Sequence, residues 1–120
     1  MASFFNAAAL TDDPVERMKH IMAASIAPLY PCHTWNKPLN PLLGETYQTT
    51  LPDGSTIFVE QVSHHPPISY LLMEGPDGLY RFQGYSTFSV RAYINSISLE
   101  VTGYKKITFK DGSSITYNPN

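Results

Sequence analysis

Residues 56–67 read TIFVEQVSHHPP, a β-strand signal that runs straight into a double proline. The first seven residues are rich in β-branched and aromatic side chains and predict a strand over 56–62. A second run of this kind covers 68–73 and predicts the next strand. Because proline has no backbone N–H to donate and restricts the residue before it, we expect the prolines to force the chain out of the ladder between the two strands.

After these two predicted strands, the alternation of apolar and polar residues continues toward the C-terminus. Apolar or small residues alternate with polar ones over 80–90 and again over 95–102. Turn clusters separate the runs, at 52–54 (PDG), 75–78 (GPDG) and 110–112 (KDG). This spacing predicts an antiparallel meander over 46–118 that curls toward a barrel. The mixture of hydroxyl and apolar residues fits a half-exposed sheet as well as a barrel around a lipid-sized cavity, and the residues alone leave both open.

The N-terminal part of the chain predicts a helix followed by a loop. Within 12–28, Asp13 is placed to cap a helix, Pro14 takes the first helical position and Glu16 lies three residues after the cap. Apolar residues then recur at helical spacing, with Ile21 beside them: Val15, Met18, Met22 and Ile26. We expect this apolar face to pack on the core, and the prolines at 28 and 31 to end the helix. Residues 2–10 are apolar without a clear cap, so their state stays open, and 35–45 predict a proline-rich loop.

Composition narrows the class of protein. The chain has 120 residues, of which 42% are apolar and 15% are charged, and its net charge is −2. This composition supports one folded domain and excludes a disordered chain. A nearly neutral chain without a Lys/Arg cluster is a poor candidate for nucleic-acid binding. No apolar run reaches the ~18 residues that a membrane-spanning helix needs. The single cysteine, Cys32, suits a reducing compartment, so we expect a cytoplasmic domain.

The adjacent His64 and His65 are the strongest candidates for chemistry. Imidazole N–H groups donate hydrogen bonds to phosphate oxygens, so two rings turned toward one side suit a single anionic group. An isolated histidine pair is more often a surface feature of a turn, and that alternative stays open here. The remaining His and Cys residues lack the spacing of zinc ligands. A hydrolase interpretation lacks both a nucleophile elbow and paired acidic residues.

A second candidate is the loop sequence NKPLNPLLGE at 36–45. Its prolines restrict the backbone, so Lys37 loses less entropy on binding a phosphate than it would on a free chain. Asn40 offers an amide, and unpaired backbone N–H groups of the loop can also face an anion. Taken alone, the loop is equally explained as a rigid connector between helix and sheet.

Three segments taken together resemble one family. EQVSHHPP at 60–67, KPLNPLLGE at 37–45 and DPVERM at 13–18 resemble the signature octapeptide, its upstream companion and the helix start of the lipid-binding domain of the oxysterol-binding protein family. The resemblance is strongest over 35–70. It implies a mainly β fold with an N-terminal helix, in which an antiparallel meander forms part of a large incomplete lipid-enclosing β-barrel.

The resemblance also implies a function and a site. Family members carry sterol or another lipid and phosphatidylinositol 4-phosphate between membranes, without covalent chemistry and with no cofactor besides the bound lipid. Matched residue by residue, Lys37, His64 and His65 would hold the headgroup phosphate, and Leu39 and Asn40 would be neighbouring headgroup contacts. The implied protein is not an enzyme, and it acts in the cytoplasm, peripherally at membranes and membrane contact sites.

The length of the chain leaves alternatives open. The family domain is roughly three times as long, so we expect a partial domain that lacks the N-terminal lid and the C-terminal part. One alternative function is a phosphoinositide-binding module that does not transfer lipid. Another is a truncated product that is inactive alone. The residues do not identify the lipid that is exchanged besides the phosphoinositide.

Overall fold

The computed structural model describes residues 1–28 and 39–118 and contains two helices and six strands in these ranges. The helices are α1 (Ala2–Leu10) and α2 (Pro14–Ile26), and the strands are β1 (Thr46–Thr50), β2 (Thr56–His64), β3 (Pro67–Glu74), β4 (Tyr80–Ala92), β5 (Ile97–Phe109) and β6 (Ser114–Tyr117). The predicted helix is confirmed, and its cap is as expected because the N–H of Val15 donates to the Asp13 carboxylate. Residues 2–10, whose conformation the sequence left undecided, form the helix α1. Residues 35–38 of the predicted loop lie outside the described ranges.

The six strands form one sheet in chain order, and every neighbouring pair is antiparallel. The predicted meander is therefore confirmed. The turn clusters join β1 to β2, β3 to β4 and β5 to β6, where glycine supplies a positive φ at Gly54, Gly78 and Gly112. In the described part of the chain the sheet is open, with β1 and β6 at its two edges.

The two faces of the sheet differ in what covers them. We call the side that carries Tyr80 and Phe82 the inner face, and the opposite side the outer face. α1 covers one end of the inner face, where the buried Phe5 ring lies 5.3 Å from the Tyr80 ring and 4.8 Å from the Phe82 ring. Three more inner-face residues complete this core: Met73, Ile107 and Phe109. The helices therefore anchor only one end of the sheet.

The prediction for the apolar face of α2 is wrong. The side chains expected to pack on the core are 44% to 62% exposed: Val15, Met18, Met22 and Ile26. Ile21 and Ala24 are buried instead, and with Arg17 they share a helix face because they lie four and seven residues after it. Arg17 turns this face inward, since its Nε donates to the Ala8 carbonyl (3.1 Å) and its Nη2 donates to the Thr11 carbonyl (2.9 Å).

The same arginine joins the helices to the sheet. Nη1 of Arg17 donates to Asp111 Oδ2 and to Ser113 Oγ, both at 2.8 Å, in the turn between β5 and β6. The guanidinium carbon lies 4.7 Å from the centre of the Phe109 ring. The Ser113 hydroxyl and N–H, followed by the Arg17 guanidinium, lower the pKa of Asp111 from 3.8 to about 2.

This shift predicts a stability difference that depends on pH. The carboxylate of Asp111 is favoured in the folded state, so its stabilising effect is complete above pH 3.8 and is lost as the pH falls toward about 2. Denaturant unfolding should therefore show Asp111→Asn to be less stable than the parent at pH 7, with the gap closing over that window. Asp77→Asn, in the turn before β4, is the matched control, because the Asp77 side chain makes no hydrogen bond or ion pair with any described residue. A gap that stays constant down to pH 2 would contradict the assignment.

Candidate functional site

His64 and His65 lie at the hairpin between β2 and β3. β2 runs through His64, and β3 begins at Pro67, which is paired with His64 across the hairpin. The expectation that the prolines force the chain out of the ladder is therefore wrong for Pro67. The first position of a strand tolerates a proline, because its missing N–H is not needed there. The Pro67 carbonyl is used, since it accepts a hydrogen bond from Thr87 Oγ1 at 3.1 Å.

The hairpin brings the two imidazoles together. Their ring centres are 4.6 Å apart, the ring planes meet at 71°, and both side chains are exposed. The register shifts by one residue between Gln61 and Ser63, which is a β-bulge at Val62. Without the extra residue, strict alternation would place His64 on the outer face. With it, His64 stands opposite Pro67 in the inner-face register, and the pair can donate two hydrogen bonds toward one anion.

Gln61 holds the strand behind the histidines. Its side chain is 2% exposed, and both ends of the amide are used. Nε2 donates to the Ser63 carbonyl at 2.8 Å, and Oε1 accepts a hydrogen bond from Ser69 Oγ on β3 at 2.5 Å. These bonds cross the bulge and fix its geometry. The sequence interpretation gave Gln61 no role of its own, although a glutamine at an inward position of an apolar strand is the signal that would have identified it.

The loop motif ends beside the octapeptide strand. The N–H of Gly44 donates to the Gln61 carbonyl at 2.8 Å, and the N–H of Gln61 donates to the Glu45 carbonyl at 3.0 Å. A turn precedes this pairing, in which Glu45 N–H donates to the Leu42 carbonyl and Gly44 has a φ of +80°. The Glu45 carboxylate accepts from the Leu42 N–H at 2.8 Å. The two motifs, which are separate in sequence, thus share a hydrogen-bonded edge.

The other predicted site residues are either exposed or outside the described part of the chain. Leu39 is 87% exposed and Asn40 is exposed. Within the described ranges, the structure shows no hydrogen bond between the Asn40 side chain and either histidine. Lys37 lies outside the described residues. Among the residues that are described, no group of three or more His, Cys, Asp or Glu side chains is arranged to hold a metal ion.

The chain matches a family model over its whole length. The model described as oxysterol-binding protein matches residues 1–120. Oxysterol-binding protein 9 of Dictyostelium discoideum is 41% identical over 114 residues, which are 95% of this chain and 27% of that protein. Human oxysterol-binding protein-related protein 6 is 52% identical over 64 residues, which are 49% of this chain and 7% of that protein.

Solved structures show the same fold. The Osh1 ORD domain in complex with ergosterol superimposes with a TM-score of 0.83 and 30% identity, over 98% of this chain and 29% of that one. The Osh3 ORD in complex with PI(4)P from Saccharomyces cerevisiae gives a TM-score of 0.81 and 28% identity, over 98% of this chain and 32% of that one. The expected partial barrel is confirmed, and the present chain spans about a third or less of these relatives.

Proposed function

The chain belongs to the oxysterol-binding protein family, and on that premise we propose that it binds a phosphoinositide headgroup at the β2–β3 hairpin, as part of lipid transfer between membranes. The hairpin geometry is the observation that carries the proposal. Two exposed imidazoles with ring centres 4.6 Å apart can donate hydrogen bonds to oxygens of one phosphate. A structural relative, the Osh3 ORD, was solved with PI(4)P.

The proposal gives each predicted residue a role. His64 and His65 donate to the headgroup phosphate, and Lys37 supplies a positive charge from the loop that ends beside the same strand. Leu39 and Asn40 contact the rest of the headgroup. The rigidity of the hairpin lowers the entropy lost on binding, since Gln61 already fixes the strand behind the histidines.

Lipid transfer would proceed by exchange and not by covalent chemistry. The headgroup binds at the hairpin, and the acyl chains lie along the inner face of the sheet, which forms part of the incomplete barrel of the family fold. Sterol is the candidate for the second lipid, because the Osh1 ORD was solved with ergosterol and with cholesterol. The protein would act peripherally at membranes, including contact sites. Neither described helix has the length and apolarity that a membrane crossing requires.

One observation favours a second function, a phosphoinositide-binding module that does not extract lipid. At the end of the inner face that the helices leave uncovered, Phe88, Val90 and Ile97 are 46%, 65% and 75% exposed. A lipid chain held there by this chain alone would remain partly in water, which opposes its removal from a membrane. Vesicle assays separate the two functions: sedimentation with vesicles measures binding, and recovery of lipid in the supernatant measures extraction.

An amide NMR titration of residues 1–120 with short-chain phosphatidylinositol 4-phosphate tests the headgroup site. We expect dispersed peaks, with the largest shifts in residues 37–45 and 61–68, because the donors and their supporting strand lie there. Short-chain phosphatidylinositol, which lacks the 4-phosphate, is the control and should give much smaller shifts. Equal shifts with both lipids would contradict phosphate recognition. Collapsed peaks would mean that this chain is inactive alone and that binding requires a longer polypeptide.

A further inference from the structure

One lysine stands apart from all other charged residues of the sheet. Register and alternation place all but one of the charged side chains within β2–β6 on the outer face. Those on the outer face are Glu60, Glu74, Arg81, Arg91, Glu100 and Lys106. Lys105 is paired with Gly84 on β4 and Tyr117 on β6, and so lies on the inner face. It therefore carries the one fixed positive charge on the inner side of these described strands.

The neighbours of Lys105 leave it without a counter-charge. Its side chain is half-buried, and its stem crosses Gly84 so closely that a methyl group there would lie 2.9 Å from Cδ of Lys105. Within residues 1–28 and 39–118, the structure shows no hydrogen bond or ion pair from its ammonium group, whereas four other cations of the chain are paired: Arg17, Lys19, Arg81 and Arg91. Partial burial of an unpaired cation costs free energy unless a ligand supplies a negative charge beside it.

Partial burial of Lys105 shifts its pKa in the direction expected for a cation without a counter-charge. It lowers the pKa of Lys105, and the cause is desolvation of the ammonium group. Tyr117, its neighbour across β5 and β6, is the other titratable group beside it on this face, and burial raises the pKa of that phenol, so it stays neutral. No described group on the adjoining strands supplies the missing negative charge.

We propose that Lys105 binds the carboxylate of a long-chain acidic lipid, such as a free fatty acid, whose hydrocarbon chain lies along the uncovered inner face. The residues beyond Lys105 suit such a chain, because Ser86 and Gly103 are small and Phe88, Val90 and Ile97 are apolar and exposed. From Gly84 to Val90 the strand extends about 20 Å, the length of a long acyl chain. The inference rests on the proposed function only in that lipid chains use this face.

The charge of the site selects among lipids. A carboxylate carries one negative charge, which a single lysine neutralises, whereas an inositol phosphate carries more charge than one lysine can balance. A sterol hydroxyl accepts a hydrogen bond but leaves the ammonium charge uncompensated. The site is also separate from the hairpin, because strand spacings place His64 about 20 Å from Lys105. Lys105 would therefore recognise a different lipid from the one that the histidines hold.

Binding of a fluorescent long-chain fatty acid and of its methyl ester to residues 1–120 tests this proposal. The two probes share one chain and differ in the charged head. We expect the acid to bind about tenfold or more tightly than the ester, and Lys105→Met to remove that preference, since a charge-assisted hydrogen bond is lost. Methionine keeps an unbranched stem over Gly84, so packing changes little. Lys106→Met, one residue along and on the outer face, is the matched control and should keep the preference.

Several results would overturn the assignment. They are equal binding of acid and ester by the parent chain, an unchanged preference in Lys105→Met, and an equal loss in Lys106→Met. The phosphoinositide titration is run on Lys105→Met in parallel. Shifts at the hairpin that persist while the acid preference is lost would support two separate lipid sites. If the parent chain prefers the acid while its hairpin does not respond to phosphoinositide, the proposed headgroup function fails and the Lys105 site does not.

Discussion

Replacing His64 and His65 together by alanine is expected to weaken binding of phosphatidylinositol 4-phosphate by about 100-fold or more. Each imidazole donates one hydrogen bond to a charged phosphate, and such bonds contribute about 1.5–3 kcal/mol each. The fold should survive, because both side chains are exposed and their described contact is the one between the two rings. The loss of that contact costs about 0.5–1.5 kcal/mol. Titration calorimetry with the short-chain lipid measures the first effect, and thermal unfolding measures the second.

Two further variants sharpen this experiment. His20→Ala removes a histidine from α2, away from the hairpin, and should leave lipid binding unchanged. Replacing both hairpin histidines by glutamine keeps an N–H donor at each position but removes any positive charge. Intermediate affinity in that variant would assign part of the binding to hydrogen bonding and the remainder to charge. Unchanged affinity in the double alanine variant would contradict the headgroup site at the hairpin.

The sheet could be predicted from the sequence because its signals are local. A two-residue period and glycine turns at 52–54, 75–78 and 110–112 specify strands, their order and an antiparallel arrangement. The rotation of α2 could not be predicted in the same way. The spacing of apolar residues favoured Met18 and Met22 as core residues, but the hydrogen bonds of Arg17 turn a different face inward. Those bonds reach carbonyls in α1 and after it, which a helical pattern in α2 does not reveal.

The sequence predicted candidate site residues, but it did not predict how the structure arranges them. Motif resemblance pointed to His64 and His65, and the structure brings their rings together. The bulge at Val62 reverses the alternation just before them, and a one-residue shift in register has no signal in residue type. The face on which Lys105 lies also depends on strand register. Its pairing partners, Gly84 and Tyr117, identify that face only after the strands are aligned.

Replacing Arg17 by methionine is expected to lower the free energy of unfolding by about 2–3 kcal/mol, and the melting temperature by about 10 °C. Its side chain is 15% exposed and donates four hydrogen bonds, two to carbonyls at the end of α1 and two to the β5–β6 turn. The variant keeps most of the apolar stem but leaves the Ala8 and Thr11 carbonyls without this donor. Asp111 is half exposed, so its ion pair with Arg17 contributes only a minor part of the loss.

Arg81→Met is the matched control for Arg17→Met. The Arg81 side chain is 60% exposed on the outer face, and its nearest contact with Glu74 is 3.9 Å, so its loss should change stability by no more than about 0.5 kcal/mol. Arg17→Lys should fall between the two, because an ammonium group can still reach Asp111 but cannot bridge helix and turn together. Equal stability of the two methionine variants would mean that apolar packing of Phe5, Ile21 and Ala24 holds the helices on the sheet. A loss confined to Arg17→Met would mean that one guanidinium sets how α2 lies on the inner face, and hence which of its apolar side chains stay exposed.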